Sequence, residues 1–577
     1  MQSPAARRPA LSLVVVSALL FMSYLYMQNK SYGYDSCAYS ESIKYGKDLF
    51  HPHHLIYNYV FHLIYGSVSR FFNLEAMAVA SAFNGLAMAG NALLVGYIVL
   101  RLTTNLGISV RATVFYGICY APLFVATSVE VYPWNILFDL LAFVVLLRPG
   151  APTPGRALLV GGLAGLAALF HQTAVFAALA LLAYLVWLRT RALVVSLYAT
   201  AAALACGVPY LWVAARAGFR TPRGLLQYLF AYATSPEYHA GVWGHGLTLR
   251  RLPVAFLGMI STFSYPRLEY LFPLIKPASW GFNLPMLRAL ILLACLLVLI
   301  GLLLLGGWRL YSLGKRTRPV ADPVPSAERP ALLAMWVWLL SHGFFTLWWN
   351  PENLEFWLMC LAPLLVLIAY RSNQSPRPLY SPVQLASLFA LLAGVNFGFR
   401  VLPDSRPSES PVYQSVEAVG CARLSDGDWF VGAMPEMEPC VRYRCGVALQ
   451  HHSLSYEFYG SPADKETVRR AYADKLAQAV RRHAVYVQEE ELAPEVISPM
   501  ASWSPDEARA LYAPYLTAAQ VLSSYERDGR RFRLYRLAPP PGSAATPAGS
   551  TAPPPSSAAT PATAVHPPLG LTVTPQK

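Results

Sequence analysis

The sequence predicts a mostly α, polytopic helical membrane protein of about 11 transmembrane helices, with a small α/β extracytoplasmic domain at its C-terminus. Three observations predict it. The 577 residues are 55% hydrophobic and only 13% charged, where soluble domains average ~25% charged. Apolar runs recur through the first two-thirds of the chain, with basic residues punctuating them. After Arg400 the runs stop and charges interleave, as in a water-exposed fold.

The runs, in order, are Leu11–Met27, Ala76–Leu100, Ala112–Ala126, Ile136–Leu147, Ala157–Phe170, Ala174–Leu188, Leu193–Ala214, Met286–Gly306, Ala331–Leu347, Phe356–Ala369 and Val383–Phe397. Several fall short of the ~20 residues a bilayer crossing needs, and neighbouring aromatic and small residues extend most of them. Arg7 and Arg8 precede the first run and no small-residue cleavage site follows, so it reads as a signal-anchor helix. With the N-terminus in the cytoplasm, the inner segments hold Arg101, Arg111, Arg148, Arg156, Arg189, Arg191, the Arg309–Arg329 stretch, Arg371 and Arg377, opposed only by Asp322 and Glu328. This is the positive-inside pattern, and it leaves everything after Arg400 outside. The net charge of +14 follows from this topology and calls for no nucleic acid. One outer loop, Arg216 to Arg288, is basic against the pattern. Its short apolar run Leu252–Phe263 predicts a segment that dips into the interface.

The chain divides into a transmembrane module over 1–400, an α/β domain over 401–538 and a tail over 539–577. In the domain, Asp464–His483 and Ser504–Tyr525 read as amphipathic helices, and Asp428–Ala433, Ala484–Val487 and Arg531–Leu537 as strands. Cys421, Cys440 and Cys445 fall there, in an oxidising compartment by the topology above. Cys440 and Cys445 are a candidate bridge, and the odd count leaves one thiol over. The tail is dominated by Pro, Ala, Ser and Thr, cannot bury a core, and is expected to be disordered.

Four stretches on the predicted outer side hold nearly all the unusual polar residues. They are Tyr34-Asp35-Ser36 with Glu41 and His51-Pro52-His53-His54; Glu130-Val131-Tyr132 with Asn135; His171-Gln172-Thr173; and Asn350-Pro351-Glu352-Asn353-Leu354-Glu355 flanked by tryptophans. An acid at the outer end of the first span can take a proton from an acceptor hydroxyl. Imidazoles and basic residues steady a departing phosphate, aromatic rings stack on a sugar, and Arg250, Arg251, Arg267 and Lys276 suit an anionic lipid headgroup. Each residue also has a plainer role: Asp35 as a helix cap, Glu130 in a structural ion pair, His171 as a packed helix-end histidine, the 350–355 stretch as a solvated turn. The three histidines at 51–54 make no metal site by themselves, because no Cys pair or second His pair stands near them in sequence. No cofactor is certain from the sequence, and a divalent metal is left open without being indicated.

The order of these parts resembles the GT-C superfamily of membrane glycosyltransferases, and more closely the protein O-mannosyltransferase-like and related families. Asp35-Ser36 followed by His51-Pro52 resembles their acid loop and its His-Pro step. Glu130-Val131-Tyr132 with Asn135 resembles a Glu-Val-Tyr-x-x-Asn stretch, and His171-x-Thr173 and the 350–357 stretch are similar to others. The resemblance spans roughly residues 10–400. It implies an essential acid in the first outer loop, a polyprenyl-phosphate-linked sugar as donor and a terminal periplasmic domain. Two departures stand out. Ala38 occupies the place of a second acid, and His53-His54 replace the Pro-Gly that usually follows the His-Pro step.

The sequence thus predicts an inverting glycosyltransferase of a bacterial cytoplasmic membrane. Asp35 is its general base, Glu130 a second catalytic acid, and the remaining polar and basic residues above bind substrate. The partners are the lipid-linked donor, membrane lipid and an extracytoplasmic hydroxyl acceptor. The rival readings are a transporter or flippase for a lipid-linked sugar, or an inactive lipid-glycan-binding protein. Spans poor in charge, Asp139 excepted, and the lack of an internal repeat argue against transport.

Overall fold

The computed structural model describes residues 4–31, 33–230, 251–271, 274, 284–316, 328–375, 378–432, 437–452, 464–492, 505–527 and 530–539. Its helices are α1 (Pro4–Tyr26), α2 (Tyr34–Tyr45), α3 (Tyr57–Val68), α4 (Ala76–Thr103), α5 (Leu106–Ile118), α6 (Tyr120–Thr127), α7 (Tyr132–Leu146), α8 (Pro154–Phe170), α9 (Val175–Trp187), α10 (Ala192–Arg216), α11 (Pro222–Leu229), α12 (Leu252–Phe263), α13 (Leu284–Arg316), α14 (Glu328–Trp349), α15 (Leu354–Asn373), α16 (Pro382–Ala393), α17 (Pro411–Val419), α18 (Met437–Cys445), α19 (Lys465–Arg482) and α20 (Pro505–Leu516). The chain forms two compact units: Met1–Asn29 with Leu49–Arg406, and Lys30–Asp48 with Pro407–Lys577. The segment Lys30–Asp48 therefore goes with the C-terminal part of the chain, not with the membrane module in which the sequence reading had put it.

The first unit is helical. Among the described residues, six helices are long and apolar enough to cross a membrane, and the bent pair α5–α6 makes up to seven. The protein is an integral membrane protein. All eleven apolar runs lie on helices, but Tyr132–Leu146, Pro154–Phe170, Gln172–Trp187 and Leu252–Phe263 are shorter than a full crossing. At 1.5 Å per residue, the 15 residues of α7 reach only about 22 Å of a ~30 Å hydrocarbon core.

Local chemistry accounts for the main irregularities. The run Ala112–Ala126 is broken into α5 and α6 at Cys119, with a 60° bend. Pro122 has no N–H to give to the Ile118 carbonyl four residues back. Asn396 takes that place: its Nδ2 donates to Ile118 O at 2.9 Å and to Phe263 O at 2.8 Å. Asn396 is wholly buried in a π-helical stretch, Gly394–Val401, that continues α16. Helices α8 and α10 pack closely through Gly161 and Gly165, where a Cβ on Gly165 would stand 2.6 Å from the Ala202 carbonyl oxygen.

The second unit contains a five-stranded sheet of order β2-β1-β3-β5-β4, from β1 (Trp429–Val431), β2 (Gln450–His452), β3 (Val485–Gln488), β4 (Gln520–Arg527) and β5 (Arg530–Arg536). β1 pairs parallel with β2 and β3, with Phe430 opposite Tyr486; β5 pairs antiparallel with β3 and β4. Helix α19 covers the sheet through Tyr472, Leu476, Ala479 and Val480, packed on Trp429, Val431, Val485 and Val487. Asp464 caps α19, accepting from Thr467 N at 3.0 Å. Two expectations are corrected here. Ser504–Tyr525 is not one helix: α20 ends at Leu516, and Gln520–Arg527 forms strand β4, whose β-branched Val521 suits a pleated surface. The cysteines pair Cys37–Cys440 and Cys421–Cys445, not Cys440–Cys445. The odd count arose because Cys37, far upstream, was left out. The tail expectation falls on residues 540–577, outside the described residues.

Candidate functional site

In the first unit, chain segments far apart in sequence converge on one place, and α4 organises it. Asn84, wholly buried in that helix, donates from Nδ2 to the carbonyls of Ser128 at 3.0 Å and Glu130 at 2.8 Å, while its Oδ1 accepts from Trp134 Nε1 at 3.2 Å. Asn91, two turns on, donates to Pro133 O at 2.8 Å, and Ser81 to Thr127 O at 2.7 Å. One face of one span thus supplies the donors that the irregular turn Thr127–Pro133 needs in an apolar setting. Sequence reasoning missed Asn84 and Asn91. Their seven-residue spacing inside the run Ala76–Leu100, on one helical face, was the available signal.

Three of the predicted stretches and the later half of the first meet here. His51 stacks on His54, ring centroids 4.5 Å apart, and lies 5.4 Å from His53. Gln172 N donates to His53 O at 3.0 Å, and Gln172 Nε2 to Pro52 O at 2.8 Å, which ties the His-Pro loop to the 171–173 turn. Tyr210 also donates to Pro52 O, at 2.6 Å. His171 Nδ1 lies 2.7 Å from Thr173 Oγ1, and its ring sits 4.7 Å from Tyr132. Tyr132 in turn meets Phe356 edge-on at 6.3 Å. Glu130 is buried. Asn135, also buried, reaches Met359 Sδ with its Nδ2 at 3.5 Å.

Burial sets the protonation of the histidines. It lowers His51 to about 4 and His171 to about 3, and it lowers His53 and His54 as well, with mutual repulsion adding to it. All four are neutral at pH ~7. A neutral imidazole keeps one N–H to donate and one ring nitrogen to accept.

The turn at 350–355 is ordered from within. Asn353 Oδ1 accepts from Glu355 N at 2.9 Å and caps α15, and the Asn350 amide, turned nitrogen-first, donates to Glu352 Oε2 at 3.1 Å. Helix α12 packs directly on it. A Cβ on Gly258 would stand 3.0 Å from Trp357 Nε1 and 3.2 Å from the Glu352 carbonyl carbon. Of the basic candidates, Arg267 pairs with Asp404 at 2.6 Å beside Arg400, and Arg251 is half-buried at the start of α12. Arg250 and Lys276 lie outside the described residues.

Tyr34 and Asp35 stand in the second unit, in the first turn of α2, where a carboxylate suits the helix N-terminus. Asp35 is exposed, so a reactant can reach it. Desolvation by the protein around it still raises its carboxyl to about 6.

No protein-family model and no curated protein matches the sequence. Solved structures do match it. ArnT from Cupriavidus metallidurans bound to undecaprenyl phosphate is 13% identical, with 91% of this chain and 97% of that chain covered and a TM-score of 0.50. The arabinofuranosyltransferase AftD from mycobacteria is 12% identical over 91% of this chain and 40% of that chain, with a TM-score of 0.47. An Archaeoglobus fulgidus oligosaccharyltransferase in complex with Zn and sulfate is 12% identical over 91% and 73%, with a TM-score of 0.46. At a TM-score of 0.50, the ArnT match shows that the chain shares the overall fold of that protein.

Proposed function

We propose that this protein is a membrane glycosyltransferase that moves a sugar from a polyprenyl-phosphate carrier to a hydroxyl outside the cytoplasm, with inversion. The observation that carries the reading is the convergence, within a fold shared with ArnT, of the His51–His54, Glu130–Asn135, His171–Thr173 and Asn350–Glu355 stretches.

The acceptor oxygen attacks the anomeric carbon, the bond from that carbon to the carrier phosphate breaks, and the acceptor proton passes to Asp35. A carboxyl raised to about 6 is ionised at neutral pH and still basic enough to take that proton. The neutral imidazoles of His51, His53 and His54 donate N–H bonds to the departing phosphate. Glu130, Asn135, Asn350, Glu352 and Glu355 hold sugar or acceptor hydroxyls, and Tyr34, Tyr132 and His171 offer ring faces. Arg250 and Arg251 attract the headgroup. The protein sits in a bacterial cytoplasmic membrane with its N-terminus inside and the α/β domain outside.

The test is sugar transfer by the purified protein in nanodiscs from a panel of polyprenyl-phosphate sugars, with a cell-envelope extract as acceptor. Transfer that Asp35→Asn abolishes, with donor binding retained, is the expected result. Donor binding without transfer by the wild type, with a matched donor and acceptor present, would overturn it in favour of a carrier or a binding protein.

A further inference from the structure

Helix α2 is built to be held on one side. Its buried residues are Ser36, Cys37, Ser40 and Ile43, a three-to-four-residue spacing that marks one face. Against it lies α18, with Met437, Cys440, Val441 and Tyr443 buried. Cys37 and Cys440, both fully buried, are joined by a disulfide with Cα atoms 5.0 Å apart, 403 residues apart in sequence. One turn on, Arg442 Nε meets Glu41 Oε2 at 3.0 Å. At the end of α2, Lys44 Nζ donates to Tyr443 O at 2.9 Å and lies 5.1 Å from the Tyr443 ring centroid. Ahead of the helix, Ser410 Oγ donates to Ser31 O at 2.9 Å. The segment is thus fastened before, within and at the end of the helix, and α18 is itself anchored by Cys421–Cys445.

The geometry of Asp35 follows. Residues two apart on a helix point about 200° away from each other. With Cys37 turned into the domain, Asp35 is turned out of it, which agrees with its exposure. The bond that fixes the first turn of α2 also fixes where the Asp35 carboxyl stands.

We infer that Cys37, Cys440, Glu41 and Arg442 are positioning residues for the reaction: the C-terminal domain serves as the mount that holds the acid-bearing helix in register. This rests on the reading of Asp35 as general base. Proton transfer in a transition state demands close placement, and a misplacement of about 1 Å can cost about 100-fold.

The experiment compares wild type, Cys37→Ser, Cys440→Ser, the double variant and Glu41→Gln in the nanodisc assay, with kcat expressed per folded molecule and KM for the lipid-linked donor measured separately. The expected result is a fall in kcat of roughly 10- to 100-fold for each serine variant, the same fall in the double variant, and an unchanged donor KM. Glu41→Gln leaves the disulfide intact and should lower kcat by a smaller factor, which keeps the test available should the serine variants fold poorly. Hydrogen exchange over 34–45 should rise in step with the loss. Wild-type kcat per folded molecule in Cys37→Ser or, failing that, in Glu41→Gln, while Asp35→Asn is inactive, overturns this inference alone. An Asp35→Asn protein as active as wild type overturns the general-base reading instead. Free thiols at Cys37 and Cys440 in the active enzyme would also overturn the inference.

Discussion

A carboxylate that takes a proton near neutral pH needs a proton affinity above that of free aspartate. Asp35 has it, at about 6 and raised by desolvation. The raised value belongs to the folded protein, and the proposed base works in its ionised form. Activity is therefore full well above pH ~6, falls as pH drops through about 6, and declines tenfold per pH unit below that. A profile of kcat/KM from pH ~3.5 to ~8 measures it; an acid limb near 4, the ordinary aspartate range, would mean that Asp35 titrates unshifted, and no acid limb that Asp35→Asn alters would remove it from the base role. At this scale the sequence was informative about residue type and less so about state. His51, His53 and His54 were singled out for phosphate contact and His171 for substrate binding; their neutrality follows from burial, which a sequence does not carry. Asn84 was passed over because a single amide in an apolar run looks incidental until the turn it fastens is seen.

Hydropathy reads elements well and their breaks poorly. Each of the eleven apolar runs lies on helix, but apolarity is indifferent to direction. The hydropathy of the run Ala112–Ala126 gave no sign of the 60° bend that Asn396 accommodates; Pro122 inside the run was the available signal. Ser504–Tyr525 failed for a related reason: its apolar residues fit a helical period up to Leu516, and only pairing with β5 makes the remainder a strand. Helix α12, in contrast, has the bounds expected of the dipping segment, Leu252–Phe263. Its contact with the 350–355 turn runs through Gly258. Gly258→Val should push that turn away, lowering transfer roughly tenfold and stability by about 1–3 kcal/mol. Transfer assays and thermal melts of the Val and Ala variants check this, and an unaltered rate in Gly258→Val would detach α12 from the reaction.

On the scale of the whole chain, the second unit is discontinuous: its sheet comes from the last quarter of the sequence and one of its helices from residues 34–45. No pattern in the sequence announces this, since Cys37 and Cys440 are 403 residues apart. A fragment of residues 407–577 therefore leaves Cys440 unpaired and the buried face of α18 uncovered. It should be less stable than the same fragment carrying residues 30–48 on a flexible linker, by about 2–5 kcal/mol, the usual worth of a native disulfide in a small domain. Denaturant titration of the two proteins checks this, and coincident curves would mean that α2 adds nothing to the fold of the unit.

The distance between those two cysteines also sets a schedule for synthesis. At roughly 5–20 residues per second, a ribosome reaches Cys440 some 20–80 s after it has made Cys37. During that interval the acid-bearing helix has no partner, and the Cys37 thiol is open to whatever oxidises or shuffles thiols on its side of the membrane. A chain that stalls or is cut before Met437 carries every predicted site residue and lacks the piece that holds α2. Completion of the polypeptide, and not merely insertion of its spans, is what lets the Cys37–Cys440 bond form.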